Sequence, residues 1–278
     1  MLAEEKTLII AFHSYKGGTG KTLVSVNLAT MLASKGKKVC LLDLDFRAPS
    51  LHAIFSNSKP EYWVNDYLNG ACQIDQTLSK SSSNCMASGE MFVGLANPST
   101  EAIREMTCKD RKWEMRALGR LLSLRNSLLK HSRYDYIIFD TSPGLQYSSI
   151  NAVISADVVF VVATSDTCEI EGTRRMIHEL YELFDKKVEV IANMVPIELI
   201  SATKLKEEQI DFESTKSPIV GVIACSCDIR NAEGGCFFAS QEPDHLFTKV
   251  LQKIAARIEQ YQFLQNPNAL IANLNPSS

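Results

Sequence analysis

The sequence predicts an α/β fold in which a doubly wound, mostly parallel sheet is flanked by helices. Short, continuous apolar runs recur along the chain and alternate with amphipathic segments of helical spacing. This order is typical of parallel strands joined by crossover helices. A glycine-rich loop also separates the first apolar run from the first amphipathic segment. We therefore expect one domain over residues 1–265, followed by a flexible C-terminal tail over residues 266–278.

The composition is that of a globular protein, with 278 residues of which 45% are hydrophobic and 22% charged. The formal charge of −3 gives no global basic field toward nucleic acid or acidic lipid. No apolar run approaches the roughly 20 residues of a membrane span. The eight cysteines form no disulfide-like framework, and no signal-peptide hydrophobic region precedes the first predicted strand. We expect a reduced, cytoplasmic protein.

The glycine-rich loop has the composition of a phosphate-binding loop. Its glycines allow the backbone to turn its N–H groups toward phosphate oxygens, with the positive end of the next helix behind them. Lys21 is placed to reach the β- and γ-phosphates, and the Thr22 hydroxyl to ligate Mg²⁺. An ordinary glycine-rich turn is the alternative, which the flanking strand and helix disfavour. The predicted nucleotide-binding residues here are Gly17, Gly18, Thr19, Gly20, Lys21 and Thr22.

This loop resembles that of the MinD/ParA family of deviant Walker-A P-loop ATPases. Residues 16–22 read Lys-Gly-Gly-Thr-Gly-Lys-Thr, which fits the family's Lys-Gly-Gly-x-Gly-Lys-Thr/Ser. In that family the first lysine reaches across a nucleotide-sandwiched dimer to the partner's phosphates. The resemblance therefore implies an ATP-dependent homodimer with catalytic roles for Lys16 and Lys21, because a second ammonium stabilises the transferring phosphoryl group. Alternatively, Lys16 is a solvated loop lysine.

Two acids, Asp43 and Asp45, end the second apolar run. Doubly wound sheets bind ligands at this edge. The family has a matching Asp-x-Asp element whose second acid positions the attacking water, so the resemblance implies a catalytic role for Asp45. It also implies that Asp43 supports the lysine and metal network, and both acids are candidates for the metal site. The alternative is that they cap the next helix.

A further strand, over residues 134–140, ends in Asp140 and is followed by Thr-Ser-Pro-Gly. This segment is similar to the family's Walker B and switch II. The resemblance implies that Asp140 holds Mg²⁺ through a water and that Gly144 presents its N–H to the γ-phosphate.

Four more apolar runs, at residues 91–95, 158–162, 188–193 and 219–223, are the remaining predicted strands. The resemblance implies that Asn193 reads the edge of the adenine, although Asn193 also suits a turn before Pro196. Ala224 and Cys225 stand where the family usually has a proline that lines the adenine.

A long helix is predicted over residues 110–130, because its apolar residues recur at helical spacing. Lys109, Lys112, Arg116 and Arg120 fall on one stripe beside that apolar face. We expect either a docking face for nucleic acid or an acidic partner, through Lys112, Arg116 and Arg120, or a solvated surface. Residues 56–90 carry little pattern beyond one short helix.

Two further signals are weak. Cys225, Cys227 and Cys236 lack the Cys-x-x-Cys spacing of a zinc or iron–sulfur site. The tail has no lysine or arginine after Arg257, so targeting by a basic membrane helix is not expected.

The resemblance extends from Leu8 to about Ile258. It implies an ATPase that uses ATP and Mg²⁺, dimerises with ATP, separates on hydrolysis, and positions or partitions a cellular cargo through an activating or cargo protein. The alternatives are an ATP-binding scaffold with negligible turnover and a cofactor- or cluster-maturation ATPase. The presence of Lys16, Asp45 and Asp140 favours a competent ATPase.

Overall fold

The computed structural model describes residues 7–58, 60–81, 88–131, 134–201, 217–231 and 237–264. The predicted tail at residues 266–278 and the end of the predicted domain at residue 265 lie outside these ranges. The described residues form one eight-stranded sheet with flanking helices, which confirms the predicted fold class.

The strands follow the order β3-β4-β2-β5-β1-β6-β7-β8 across the sheet. Every neighbouring pair is parallel except β3 and β4 at one edge. In chain order the strands are β1 (Leu8–His13), β2 (Lys38–Leu44), β3 (Leu78–Lys80), β4 (Glu90–Gly94), β5 (Tyr136–Thr141), β6 (Val158–Ala163), β7 (Lys187–Val195) and β8 (Ile219–Ala224).

The helices join successive strands, and none in the described ranges is long and apolar enough to cross a membrane. A 3₁₀ turn, Ile74–Thr77, precedes β3, and a π-helical turn, Ile177–Tyr181, continues α7. The α-helices are α1 (Lys21–Ser34), α2 (Leu51–Ile54), α3 (Val64–Asn69), α4 (Thr100–Thr107), α5 (Arg111–His131), α6 (Tyr147–Ser155), α7 (Thr167–Met176), α8 (Ile197–Ser201), α9 (Cys227–Asn231), α10 (Phe238–Gln241) and α11 (Leu246–Leu264).

The core lies on both faces of β1, whose six residues are all buried. Because side chains alternate along a strand, Ile10 and Phe12 pack on the α1 and α11 side, whereas Ile9 and Ala11 face the α5 side. The Phe12 ring stacks on the Phe160 ring at 5.5 Å between centroids. A continuous apolar strand such as β1 therefore suits a central position between two helical layers.

The sheet order brings the ends of three strands together. β1 lies between β5 and β6, so β2 pairs with β5 rather than with β1. In that register the Cα of Asp43 is paired with that of Asp140, and Asp140 is also paired with Phe12 of β1. The acids of β2 and β5 therefore lie side by side, next to the glycine-rich loop that follows β1.

The weakly patterned region contains the expected short helix, α3, and a strand that the sequence did not predict. β3 has only three residues, and they pair antiparallel with β4. A strand of three residues at the edge of a sheet is defined by its backbone hydrogen bonds. Its side chains, Leu-Ser-Lys, form no apolar run from which the strand could be predicted.

Candidate nucleotide-binding site

A cavity of about 790 Å³ opens at the carboxyl ends of the central strands. It is bounded by the glycine-rich loop, the loops after β2 and β5, and the ends of β7 and β8. The predicted site residues that line it are Gly17, Gly18, Gly20, Lys21, Thr22, Asp45 and Asn193. Those outside its lining are Lys16, Thr19, Asp43, Asp140 and Gly144.

The glycine-rich loop has the backbone of an anion-binding turn. Gly18 and Gly20 have φ angles of +81° and +87°, a conformation that favours glycine. α1 begins directly afterwards at Lys21, and its first turn contains no acidic residue. The positive end of the helix and the largely buried Lys21 ammonium therefore face the cavity together.

Asn193 holds this loop in place. Its Nδ2 donates a hydrogen bond of 2.7 Å to the carbonyl oxygen of Thr19. The fit is tight, because a Cβ atom on Gly20 would lie 2.3 Å from Asn193 Nδ2. The next residue, Met194, has a φ of +56° and also lines the cavity. Asn193 thus supports the loop, and its contact with adenine stays a prediction.

Thr22 and Asp140 form the part of the site that suits a divalent cation. Thr22 Oγ1 donates to Asp140 Oδ2 over 2.7 Å. Asp140 Oδ1 is buried and accepts no hydrogen bond from the described residues. Burial raises the pKa of Asp140 to about 6, against the opposing effects of the Thr22 hydrogen bond and the Lys21 charge.

A cation close to Asp140 would relieve this desolvation. The described ranges contain no group of three or more His, Cys, Asp or Glu side chains that could hold a metal by themselves. Mg²⁺ keeps several waters and is usually held by one or two protein groups plus the phosphates of a nucleotide. The hydroxyl of Thr22 and the carboxylate of Asp140 fit that mode.

Asp43 lies beneath the cavity rather than in its lining. Its Oδ1 accepts from the Asp45 N–H at 3.0 Å, and its Oδ2 accepts from the Leu51 N–H at 3.3 Å. Burial, and next the neighbouring charge of Asp140, raises the pKa of Asp43. The observed contacts are those of the capping alternative, since Leu51 begins α2.

Asp45 lines the cavity and connects two loops. Its Oδ1 accepts hydrogen bonds from Ser142 Oγ at 2.8 Å and from the N–H groups of Arg47 and Ala48 at 3.3 and 3.1 Å. No hydrogen bond from the described residues reaches Oδ2. The loop after β2 is therefore fixed to the loop after β5, with one carboxylate oxygen left for a ligand.

Gly144 is held from both sides in this structure. Its N–H donates to the Ser14 carbonyl at 2.8 Å, and its own carbonyl accepts from His13 Nε2 at 2.9 Å. The Gly144 N–H, which the resemblance assigned to the γ-phosphate, thus already donates a hydrogen bond to the segment that leads into the glycine-rich loop. Pro143 and Gln146 line the cavity in its place.

His13 is a site residue that the sequence did not reveal. It is fully buried, and because a carbonyl only accepts, Nε2 carries the proton while Nδ1 accepts from the Tyr181 hydroxyl. Burial, followed by the charge of Lys21, lowers the pKa of His13 to about 3. A neutral imidazole therefore connects the loop around Gly144 to the π-helical turn that ends at Tyr181.

Lys16 precedes Gly17 of the cavity lining but is not itself part of that lining. Its Nζ is 3.7 Å from Asp166 Oδ1, and its side chain is 47% exposed. Asp166 is also the N-cap of α7 and accepts from the Glu169 N–H. The preceding Tyr15 packs closely on Gly172, where a Cβ would lie 2.1 Å from the tyrosine ring. The start of the loop thus rests on α7.

The basic stripe of α5 is smaller than the sequence suggested. Lys109 pairs with Glu105 at 2.5 Å, and Arg120 Nη1 donates to the Leu68 carbonyl at 3.1 Å. Lys112 and Arg116 are exposed and form no ion pair with the described residues. Arg120 is therefore a half-buried packing residue, and the exposed charge comes from the other two.

Apart from Ala224 and Cys225, which stand at the position of the family's adenine-lining proline, the remaining lining residues were not predicted. Cys225 lines the cavity and Cys227 is exposed nearby, while Cys236 lies outside the described residues. Arg47 lies two residues after Asp45, close to the Asp-x-Asp element, but whether its side chain reaches the cavity depends on the turn between them. The other unpredicted residues include Ser142, Gln146, Met194 and Ile229.

These features define a P-loop nucleotide-binding protein: a glycine-rich loop lies between a central parallel strand and a helix, and Thr22 of the cavity lining is hydrogen-bonded to Asp140. A family model described as AAA domain matches residues 7–194. The chain belongs to the MinD/ParA family, which confirms the predicted resemblance. The members of that family are ATPases.

The chain is similar to the septum site-determining protein MinD of Thermotoga maritima. The two are 29% identical over 256 residues, which cover 90% of this chain and 87% of that protein. Two solved structures share the fold. MinD of Pyrococcus horikoshii complexed with Mg-ADP has a TM-score of 0.69 at 21% identity and covers 92% of this chain and 97% of that one. A putative plasmid partition protein of Borrelia burgdorferi bound to AMPPNP has a TM-score of 0.66 at 21% identity, with 94% and 99% covered.

Proposed function

We propose that this protein is an ATP-dependent switch that dimerises when it binds ATP and separates after hydrolysis. The observation that carries this proposal is the division of labour between two lysines of one loop. Lys21 is largely buried and lines the cavity, whereas Lys16 is exposed and lies outside the lining. A lysine so placed can serve the phosphates of a second subunit better than those of its own.

ATP would be held by the loop glycines, the start of α1 and Lys21. Thr22 and Asp140 would hold Mg²⁺. The solved structures with Mg-ADP and with AMPPNP support the binding of a nucleotide with Mg²⁺. When bound, the cation would neutralise charge on the β- and γ-phosphates. Asp45, with one carboxylate oxygen without a hydrogen bond from the described residues, would orient the attacking water.

Release of Lys16 from Asp166 would accompany dimerisation. The pair is 3.7 Å apart and both side chains are exposed, at 47% and 63%. An exposed ion pair contributes at most about 1 kcal/mol, so binding to a partner's triphosphate would readily replace it. The switch would then combine the nucleotide of one subunit with the lysine of the other.

The output of the switch would be the placement of a cargo in the cytoplasm through a partner protein. Relatives described as septum site-determining and plasmid partition proteins support such a role. Lys112 and Arg116 are exposed on α5, which packs against α6 directly after the loop that holds Gly144. We assign them to the contact with an acidic partner or a nucleic-acid backbone.

The proposal is tested by measuring nucleotide affinity and mass together for the wild type, Lys16→Ala and Lys21→Ala. With a non-hydrolysable ATP analogue, light scattering of the wild type should give the mass of two chains. Lys16→Ala should bind the analogue within a few-fold of the wild type and stay at the mass of one chain. Lys21→Ala should lose about tenfold or more in affinity, since a charge-assisted contact with phosphate is removed.

Each other outcome has a distinct meaning. A wild type that binds no ATP would overturn the proposed function. Normal dimerisation of Lys16→Ala would mean that Lys16 does not bind the phosphates of the second subunit. Binding and dimerisation of the wild type without turnover of ATP would favour the non-hydrolysing scaffold.

A further inference from the structure

Arg47 is the second cation of the nucleotide cavity. Among the described residues that line it, Lys21, Asp45 and Arg47 carry charge. Two cations against one carboxylate leave a net charge of +1, and without Arg47 the lining would be neutral. Asp140, beneath Thr22, adds further negative charge when it is ionised. Half of the positive side-chain charge in the lining therefore comes from Arg47.

Arg47 also lines a second cavity, of about 310 Å³. This cavity lies between the loop after β2, the end of α4, the start of α5 and the loop after β5. Arg47 and Gln146 line both cavities. Because the two cavities meet at these residues, Arg47 lies where the Asp45 and Gly144 loops adjoin. Met194 and Cys225, from β7 and the end of β8, line another part of the cavity.

The backbone of Arg47 is held while its side chain is available. Its N–H donates to Asp45 Oδ1, and Ser142 donates to the same oxygen. Arg47 is exposed, and its guanidinium forms neither an ion pair nor a hydrogen bond with the described residues. A fixed Cα that carries an unpaired planar cation at the edge of a phosphate site is well placed to bind an oxyanion.

We propose that Arg47 binds the terminal phosphate of the nucleotide held by its own subunit and so distinguishes ATP from ADP. This inference rests on the proposed function and adds a cation to Lys21 in the same site. The guanidinium can donate two parallel N–H groups to phosphate oxygens, a geometry that lysine does not reproduce. The alternative is that Arg47 only covers the apolar side chains of the second cavity, such as Phe46 and Trp113.

The test compares equilibrium binding of a non-hydrolysable ATP analogue and of ADP, each with Mg²⁺. Arg47→Ala should weaken binding of the analogue about 10- to 100-fold, as expected for a lost charge-assisted hydrogen bond, and binding of ADP only slightly. Arg47→Lys should fall between the wild type and Arg47→Ala. The matched control is Arg175→Ala, which removes an exposed arginine of α7 that lines neither cavity and should change neither affinity.

Two results would overturn the inference while leaving the proposed function intact. One is wild-type affinity of Arg47→Ala for the analogue. The other is an equal loss for analogue and ADP, which would mean that Arg47 does not contact the terminal phosphate. A wild type that binds neither nucleotide would overturn the proposed function, and the inference with it. Thermal unfolding of each variant checks the fold, and Arg47→Gln serves as a second variant if alanine lowers the midpoint.

Discussion

His13 makes the folded protein sensitive to acid. The imidazole is fully buried between Gly144 and Tyr181, and its pKa is lowered from 6.5 to about 3. Below pH 6.5 the unfolded chain binds a proton on this side chain, whereas the folded chain does not. Stability is therefore lost as the pH falls from 6.5 toward 3.

The size of this effect follows from the shift. Each pH unit within the window costs about 1.4 kcal/mol in the free energy of unfolding. At pH 5, which is 1.5 units below the ordinary pKa, His13 alone should cost about 2 kcal/mol. His13→Gln keeps an amide that can donate to the Gly144 carbonyl but cannot be protonated. Its free energy of unfolding should fall about 2 kcal/mol less than that of the wild type between pH 7.5 and pH 5.

The assay is urea unfolding of the nucleotide-free protein at pH 7.5, 6.5, 5.5 and 5. Other buried acids, such as Asp140, titrate in both proteins and cancel in the difference between them. The control is His178→Gln, since His178 is exposed and pairs with Glu182 on the surface. A His13→Gln variant whose stability follows the same pH dependence as the wild type, within about 0.5 kcal/mol, would refute a buried neutral imidazole.

Three further predictions concern the site and its surroundings. Asp45→Ala should bind ATP within a few-fold of the wild type but lose hydrolysis, because binding comes from the loop and turnover needs an oriented water; rapid turnover in a phosphate-release assay would remove Asp45 from the mechanism. Asn193→Ala removes the hydrogen bond that holds the Thr19 carbonyl, so it should weaken the binding of ATP and of GTP equally, by about 1–3 kcal/mol. A loss of affinity for ATP alone would instead support the contact with adenine. Replacement of Lys112 and Arg116 together by Glu should abolish binding of the partners that the ATP-bound wild type captures and leave basal ATPase activity intact. Unchanged capture of these partners would mean that this face has no role in binding them.

The sequence was most informative where local pattern and burial agree. Residues 158–162 form a continuous apolar run because β6 is buried on both faces, and this signal needs no knowledge of distant residues. Gly18 and Gly20 likewise occupy positions of positive φ, so the residues of the loop itself are enough to predict its backbone. The fold class and the phosphate-binding loop could therefore be predicted.

What could not be predicted depends on contacts between distant parts of the chain. His13 and Tyr181 are 168 positions apart, and only the sheet brings them together. Asp43 and Asp45 are alike in sequence, yet β2 ends between them at Leu44. Asp43 therefore stays buried beneath the loop, whereas the turn directs Asp45 into the cavity.

The most direct test of the account mixes two inactive variants. Lys16→Ala and Asp45→Ala should each be inactive alone. In a mixed dimer, the nucleotide bound by the Lys16→Ala subunit has its own Asp45 and receives Lys16 from the other chain, so one of the two sites is complete. Because Lys16→Ala chains are not expected to pair with each other, an equal mixture should recover up to about half of the wild-type ATPase activity if every Lys16→Ala chain pairs with an Asp45→Ala chain. A mixture as inactive as its components would mean that Lys16 does not act across the dimer, and would contradict the central claim.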